Sequence, residues 1–299
     1  MSGWKENTAK DIINRLEKDI FTEIGHVPIA EVTHKQLIDT LRKIEDRGAF
    51  EIAKRLKANI ARIFSYAIQY GITDRNIAND LVDILKPAPK GHFAAITSDE
   101  LPEFVRTLDQ NKARLFITTR IAIQLMMLTF IRTSELIEAE WTEIDLENGV
   151  WIIPWQRMKM GKKKINPDMT NHRIDLSRQA VELLNELKTI TGNNQYLFPN
   201  QRVPRKPMSN GAILMALKRM GYHGRMTGHG FRSLAASTLE EMGYRREVID
   251  RQLAHKQTNK MQAAYFRADF VKERRKMMQD WADRIDSLRT GKIIHLKRA

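Results

Sequence analysis

His229-Gly230-Phe231-Arg232, Leu253-Ala254-His255-Lys256 and Ala263-Ala264-Tyr265 lie on one stretch, residues 229–265. Between the first two boxes the apolar residues recur at helical spacing, predicting helices over Phe231–Met242 and Arg246–Leu253. The stretch therefore belongs to a helical frame, and its polar residues share one kind of chemistry. Arginine and histidine donors can hold a phosphate, and a tyrosine hydroxyl can attack one. Cutting a phosphodiester needs such a nucleophile, cationic donors on the non-bridging oxygens and an acid for the departing 5′-oxygen. Arginine suits the second task, because its planar fork reaches two oxygens and keeps its charge.

Upstream, residues 1–88 read as helices throughout. Ile12, Ile13, Leu16, Ile20, Phe21 and Ile24 form one apolar stripe, ended by Gly25 and Pro28. Thr33 is placed to cap a second helix carrying Leu37, Ile38, Leu41 and Ile44. A third is expected from Phe50 to Tyr70 and a short fourth near Ile77–Leu85. Four short helices suffice for a small bundle. Lys54, Arg55, Lys57 and Arg62 lie off the apolar stripe of the third helix, on a face that is either solvated or turned toward a polyanion.

Lys86-Pro87-Ala88-Pro89-Lys90-Gly91 discourages helix and strand, which places a linker at 89–96. Thr97-Ser98-Asp99-Glu100 reads as a capping box opening the next helix. A long apolar helix is expected from Arg114 to Phe130. Thr133 or Ser134 would cap the one after it, leaving Arg132 at the junction. Ile144–Ile153, with Asn148-Gly149 at its centre, predicts a hairpin, and His172–Leu176 a further strand. Helices follow at Ser177 onward, Ser209–Met220 and Asp269–Leu288, interrupted by a loop from Pro199 to Pro207. Strands confined to one small sheet make this second domain, 97–290, a mainly helical α+β fold with a small antiparallel sheet, after an all-α first domain. Residues 291–299 form a basic tail.

Composition narrows the partner. The net charge of +14 is concentrated beyond residue 90, and no Asp or Glu occurs between Leu187 and Leu239. A single-sign field favours nucleic acid. The absence of cysteine excludes disulfides and thiol chemistry. No apolar run approaches the roughly 20 residues of a membrane span, so a cytoplasmic protein is expected.

The second domain resembles the catalytic domain of the tyrosine recombinases, and in particular the phage-type integrases of prophages and genomic islands. Thr129-Phe130-Ile131-Arg132-Thr133-Ser134-Glu135-Leu136 matches the family's first box, His229-x-x-Arg232 the second and Leu253-Ala254-His255 the third. Tyr265, in Ala-Ala-Tyr-Phe-Arg-Ala-Asp, matches the nucleophile, and Lys159 the lysine carried by a β-hairpin. Residues 1–88 are similar to the family's core-binding domain. Members usually carry an arm-binding domain ahead of these helices, whereas this sequence opens with them at Met1-Ser2-Gly3-Trp4.

The resemblance implies site-specific recombination through a 3′-phosphotyrosyl intermediate, integrating or excising a mobile element. Arg132 and Arg232 would clamp the phosphate, His229 would assist proton transfer, His255 would hydrogen-bond the phosphate and Lys159 would be the acid. Glu135 would be a buried partner of an arginine, and His172 an auxiliary contact or a structural residue. Lys162, Lys163, Lys164, Arg205 and Lys206 join the first-domain cations as DNA contacts. No cofactor or metal is implied. The expected partners are an attachment-site duplex, three further protomers and accessory DNA-bending proteins. Two alternatives share these residues or this fold: a type IB topoisomerase, and a non-catalytic DNA-binding protein.

Overall fold

Thr33 begins a helix as its place ahead of an apolar-periodic run predicts. Its hydroxyl accepts from the Gln36 backbone N–H, and the Gln36 side chain reaches back to the Thr33 N–H. The structure is a computed structural model and describes residues 6–87, 94–158, 171–255 and 270–290. It divides into two compact units, Met1–His92 and Phe93–Ala299.

In the first unit, α1 (Glu6–Leu16) continues through a π-helical turn, Glu17–Phe21, to Ile24. It packs with α2 (His34–Asp46) and α3 (Phe50–Gln69) around Leu37, Leu41, Ile44, Leu56, Ile60 and Phe64. The expected fourth helix is absent. Ile77, Ala78 and Leu81 are buried as their spacing demands, yet they sit in turns. Asn76 accepts from the Asn79 N–H, and its amide donates to Ala61 O and Ser65 Oγ on α3. Such local side-chain bonds compete with helix, and Asp83 at φ 51 leaves helical space altogether.

The second unit opens with α4 (Leu101–Gln110). Glu100 reaches back to the Thr97 N–H, but the helix starts only at Leu101, later than the capping signal implies. α5 spans Ile117–Thr129, not Arg114 onward, because Asn111 and Arg114 adopt left-handed φ values and the Asn111 side chain closes on Leu115. Next come α6 (Thr133–Ile137), β1 (Ile144–Asp145), β2 (Val150–Ile153) and β3 (His172–Asp175). The strands form one antiparallel sheet in that order, and Gly149 supplies the positive φ of 62 at the β1–β2 turn. Then follow α7 (Arg178–Thr191, capped by Ser177), α8 (Gly211–Arg219), α9 (Gly230–Glu241), α10 (Arg246–Gln252) and α11 (Val271–Thr290).

α11 closes the core of its own chain. Met277, Met278, Trp281 and Ile285 are buried, with contacts to α4, α5, α7, α10 and β3. Trp281 meets Phe130 edge to face, and its indole N–H donates to Met127 O at 2.9 Å, so the aromatic buries its surface without orphaning its polar atom. No helix among the described residues is long and apolar enough to cross a membrane.

Candidate active site

Three chain segments, each at a helix end, assemble the site. The first is the α5–α6 junction. Phe130 ends α5 in the left-handed region at φ 58, and Arg132 then takes the extended N-cap position of α6, a place expected for Thr133 or Ser134. Glu135, its side chain 2% exposed, receives Arg132 twice: the backbone N–H at 3.1 Å and Nη1 at 2.7 Å. Arg132 Nη2 donates to Ala254 O at 3.3 Å. Glu135 therefore is a buried partner that positions an arginine.

The second segment is the start of α9. Exposed His229 holds the N-cap position, and Gly230 follows where a Cβ would meet Ala94 O at 2.5 Å and Met226 Sδ at 2.8 Å. Only glycine fits that approach. Phe231 packs edge to face on Phe104 and anchors the turn. Arg232, 3% exposed, donates from Nη1 to Phe130 O and from Nη2 to Leu253 O. Burial first, and then the charge of Arg132, bring its pKa down to about 10, with Glu135 opposing. The group stays cationic at neutral pH. Two guanidiniums close enough to repel each other are thus held in place by carbonyls, concentrating positive charge at the candidate site.

The third segment is the end of α10. Ala254 N–H returns to Arg251 O and His255 N–H to Asp250 O, with Ala254 at φ 47; this is a Schellman turn with alanine where glycine is usual. The turn leaves three consecutive carbonyls free of helical partners. Gln252 O receives His172 Nε2–H at 3.1 Å, Leu253 O receives Arg232 and Ala254 O receives Arg132. The partially negative end of α10 thus orders three of the predicted site residues at once.

His172 is a structural member of this group. Burial, then Arg274, Arg232 and Arg132, lower its pKa to about 3, against the bond to Gln252 O. The folded ring is neutral, whereas the unfolded ring titrates near the ordinary value of about 6.5. The folded-state value is depressed, so the stabilisation is whole above pH ~6.5 and is lost progressively as pH falls toward 3. Between pH 7 and 5, His172 is expected to account for about 2 kcal/mol of lost stability. Urea melts at both pH values check this: His172→Gln should flatten the pH dependence by that amount, and an unchanged slope contradicts it.

Several supporting residues escape sequence reasoning. Arg274, 1% exposed, donates to Gln252 Oε1 and to Arg173 O, tying α11 to α10 and β3. It reads as part of a basic run, although its spacing to Met277, Met278, Trp281 and Ile285 places it on the buried face. Arg157 donates to Glu135 O at 3.0 Å and to Glu143 Oε2, while Trp151 bonds the same Glu143 oxygen from within the sheet. This ties the end of the β2 segment to the Arg132 junction. Asp250 Oδ1 accepts from His255 Nδ1 at 2.9 Å.

Lys159, Lys162, Lys163, Lys164 and Tyr265 lie outside the described residues. Of the tyrosines nearest Tyr265 in the sequence, Tyr222 is buried against Phe104, and Tyr244 donates to Asp280. Burial first, then Asp280, push Tyr244 up to about 12. Arg205 and Lys206 are exposed, as are Lys54, Arg55 and Arg62. Lys57 differs from them, since it is half-buried and donates to Leu81 O within the first unit.

Comparison with known proteins bears on the whole chain. Residues 94–272 match the phage integrase family and residues 1–83 the phage integrase central domain. The chain is 36% identical over 298 residues to the integrase of Enterobacteria phage P4, covering 97% of this chain and 67% of that protein. It is 37% identical over 292 residues to prophage integrase IntZ of Escherichia coli K12, covering 97% and 69%. A lambda integrase (75–356) dimer bound to a COC′ core site shares the fold with a TM-score of 0.64 at 20% identity, covering 89% of this chain and 90% of that one. The Tn1549 transposon integrase in complex with transposon right end DNA gives 0.64 at 17% identity, with the same coverage.

Proposed function

The chain belongs to the phage integrase family, and from that premise we propose how its residues cut and rejoin DNA as a tyrosine-type site-specific recombinase. The observation that carries the proposal is the pair of guanidiniums, Arg132 and Arg232, held by helix-end carbonyls beside His255. Such an arrangement suits a phosphodiester whose negative charge grows in the transition state.

In this reading Tyr265 attacks the scissile phosphorus and forms a 3′-phosphotyrosyl bond, while the P–O5′ bond breaks. The 5′-oxygen takes a proton from Lys159, and His229 assists removal of the tyrosine proton. Arg132 and Arg232 hold the non-bridging oxygens, and His255 donates to one of them. The linkage conserves the bond energy, so a 5′-hydroxyl from another duplex reverses the step. Lys54, Arg55 and Arg62 on α3, with Lys162, Lys163, Lys164, Arg205 and Lys206 on the second unit, contact the backbone of an attachment site. Lys57 keeps a place in that set only if it leaves Leu81 O.

Lambda integrase has been seen as a dimer bound to a core site and as a tetramer bound to a Holliday junction. By analogy this chain assembles as four protomers around two duplexes, and accessory DNA-bending proteins are further partners in this reading. The test is a reaction of two labelled attachment-site duplexes. Joint molecules are expected. In a parallel reaction on a supercoiled plasmid carrying the site, relaxation without joint molecules from the duplexes indicates a topoisomerase instead, and binding without either product indicates a non-catalytic protein.

A further inference from the structure

His255 is tied to a single residue twice. Its backbone N–H donates to Asp250 O at 3.0 Å, and its ring Nδ1 lies 2.9 Å from Asp250 Oδ1. A carboxylate only accepts, so Nδ1 carries the hydrogen. Asp250 is itself braced: Arg246 Nε reaches Oδ1 at 3.2 Å, and Arg246 Nη1 donates to Glu240 Oε1 on α9 at 2.5 Å. In the neutral ring this arrangement leaves a lone pair on Nε2, which repels a phosphate oxygen. Donation to the phosphate requires a second proton.

We propose that Asp250 is a positioning residue that holds His255 by Nδ1–H, so that Nε2 meets the phosphodiester and binding of the phosphodiester takes up a proton there. The inference rests on the recombinase reading in taking a phosphodiester as the ligand. The charged groups bearing on the ring are Asp250 and Arg246 on α10, Glu240 and Arg232 on α9, and Arg132 at the start of α6. In the free protein, burial first and then the two site arginines lower the His255 pKa, while Asp250 raises it. A bound phosphodiester screens the two arginines and adds an anion beside Nε2. Both changes favour the doubly protonated, singly charged ring, and the proton comes from solvent. Asp250 stabilises the resulting imidazolium, as the orienting carboxylate does in other His–Asp pairs.

The test uses the full chain with Tyr265→Phe, so that binding is not followed by cleavage. Heats of binding to a core-site duplex are measured near pH 7.5 in buffers of different ionisation enthalpy. Uptake of a fraction of a proton per site, up to about one, is expected. The uptake should disappear in His255→Gln and fall at least by about half in Asp250→Asn. Nitrogen-15 spectra of the free protein should show His255 protonated at Nδ1 and bare at Nε2. With Tyr265 present, Asp250→Asn should slow cleavage by about 10-fold or more with DNA affinity little changed. That deficit should grow as pH rises, and Asp250→Glu should recover part of the rate. An Nε2–H tautomer in the free protein, equal proton uptake with and without His255, or a wild-type pH profile in Asp250→Asn overturns the proposal. Absence of a covalent adduct with Tyr265 on a bound site instead sinks the recombinase reading, and the tautomer measurement stands apart from that outcome.

Discussion

Arg232→Lys is expected to lower single-turnover strand cleavage by about 10² to 10³-fold, the range for removing one preorganised donor from a developing oxyanion. Charge alone is not what Arg232 supplies. Its fork spans two carbonyls from different helices, Phe130 O and Leu253 O, at 3% exposure. A lysine ammonium is a point donor on a flexible stem and cannot reproduce that planar bridge. Burial also favours its neutral form, beside the positive charge of Arg132. One carbonyl is left without a partner, costing about 1–3 kcal/mol of stability. Rates on a nicked core-site duplex, with affinity read separately by anisotropy, distinguish chemistry from binding. A lysine variant cleaving within a few-fold of wild type contradicts the bridging role.

Glu135→Gln is expected to produce the largest loss of stability, about 3–5 kcal/mol, although the shapes of the two side chains are almost the same. Glu135 accepts both the backbone N–H and Nη1 of Arg132, and its charge also favours the cationic form of Arg232. The amide leaves two buried or half-buried guanidiniums uncompensated. A bound anion replaces the missing charge, so the deficit should shrink when core-site DNA is present. Thermal or urea melts with and without the duplex check both parts. A loss under about 0.5 kcal/mol, or one that DNA does not reduce, is inconsistent with electrostatic compensation at this pair.

The parts of this molecule that were legible in the sequence are those whose cause is local. Helices α2, α3 and α7 follow from apolar periodicity with Thr33 and Ser177 as starts, and the hairpin follows from Asn148-Gly149. Arg132, His229, Arg232 and His255 carry their identity in side chains and stand in recognisable boxes, and the fold brings Arg132, Arg232 and His255 to one place. The organising feature of the site has no such signature. Gln252, Leu253 and Ala254 act through their carbonyls, which every residue possesses, so only the Schellman turn reveals them. Arg274 was hidden for a different reason: its basic neighbours look like a solvated tail, and only its place on the apolar stripe betrays burial. The segment from Ile77 to Leu85 shows the opposite error. Its apolar spacing is real and its residues are buried, but Asn76 and Asp83 redirect the backbone into turns.

The central claim is that this chain forms a covalent bond to DNA through Tyr265 at a site built on Arg132, Arg232 and His255. It is tested most directly by trapping. A nicked duplex carrying the cognate core site is incubated with the wild-type chain in EDTA, and the adduct is digested and its attachment point mapped by mass spectrometry. The expected result is one covalent species, linked through a 3′-phosphate to the peptide containing Tyr265, and none with Tyr265→Phe. An adduct on any other residue, or no adduct on a duplex that the protein demonstrably binds, contradicts the account.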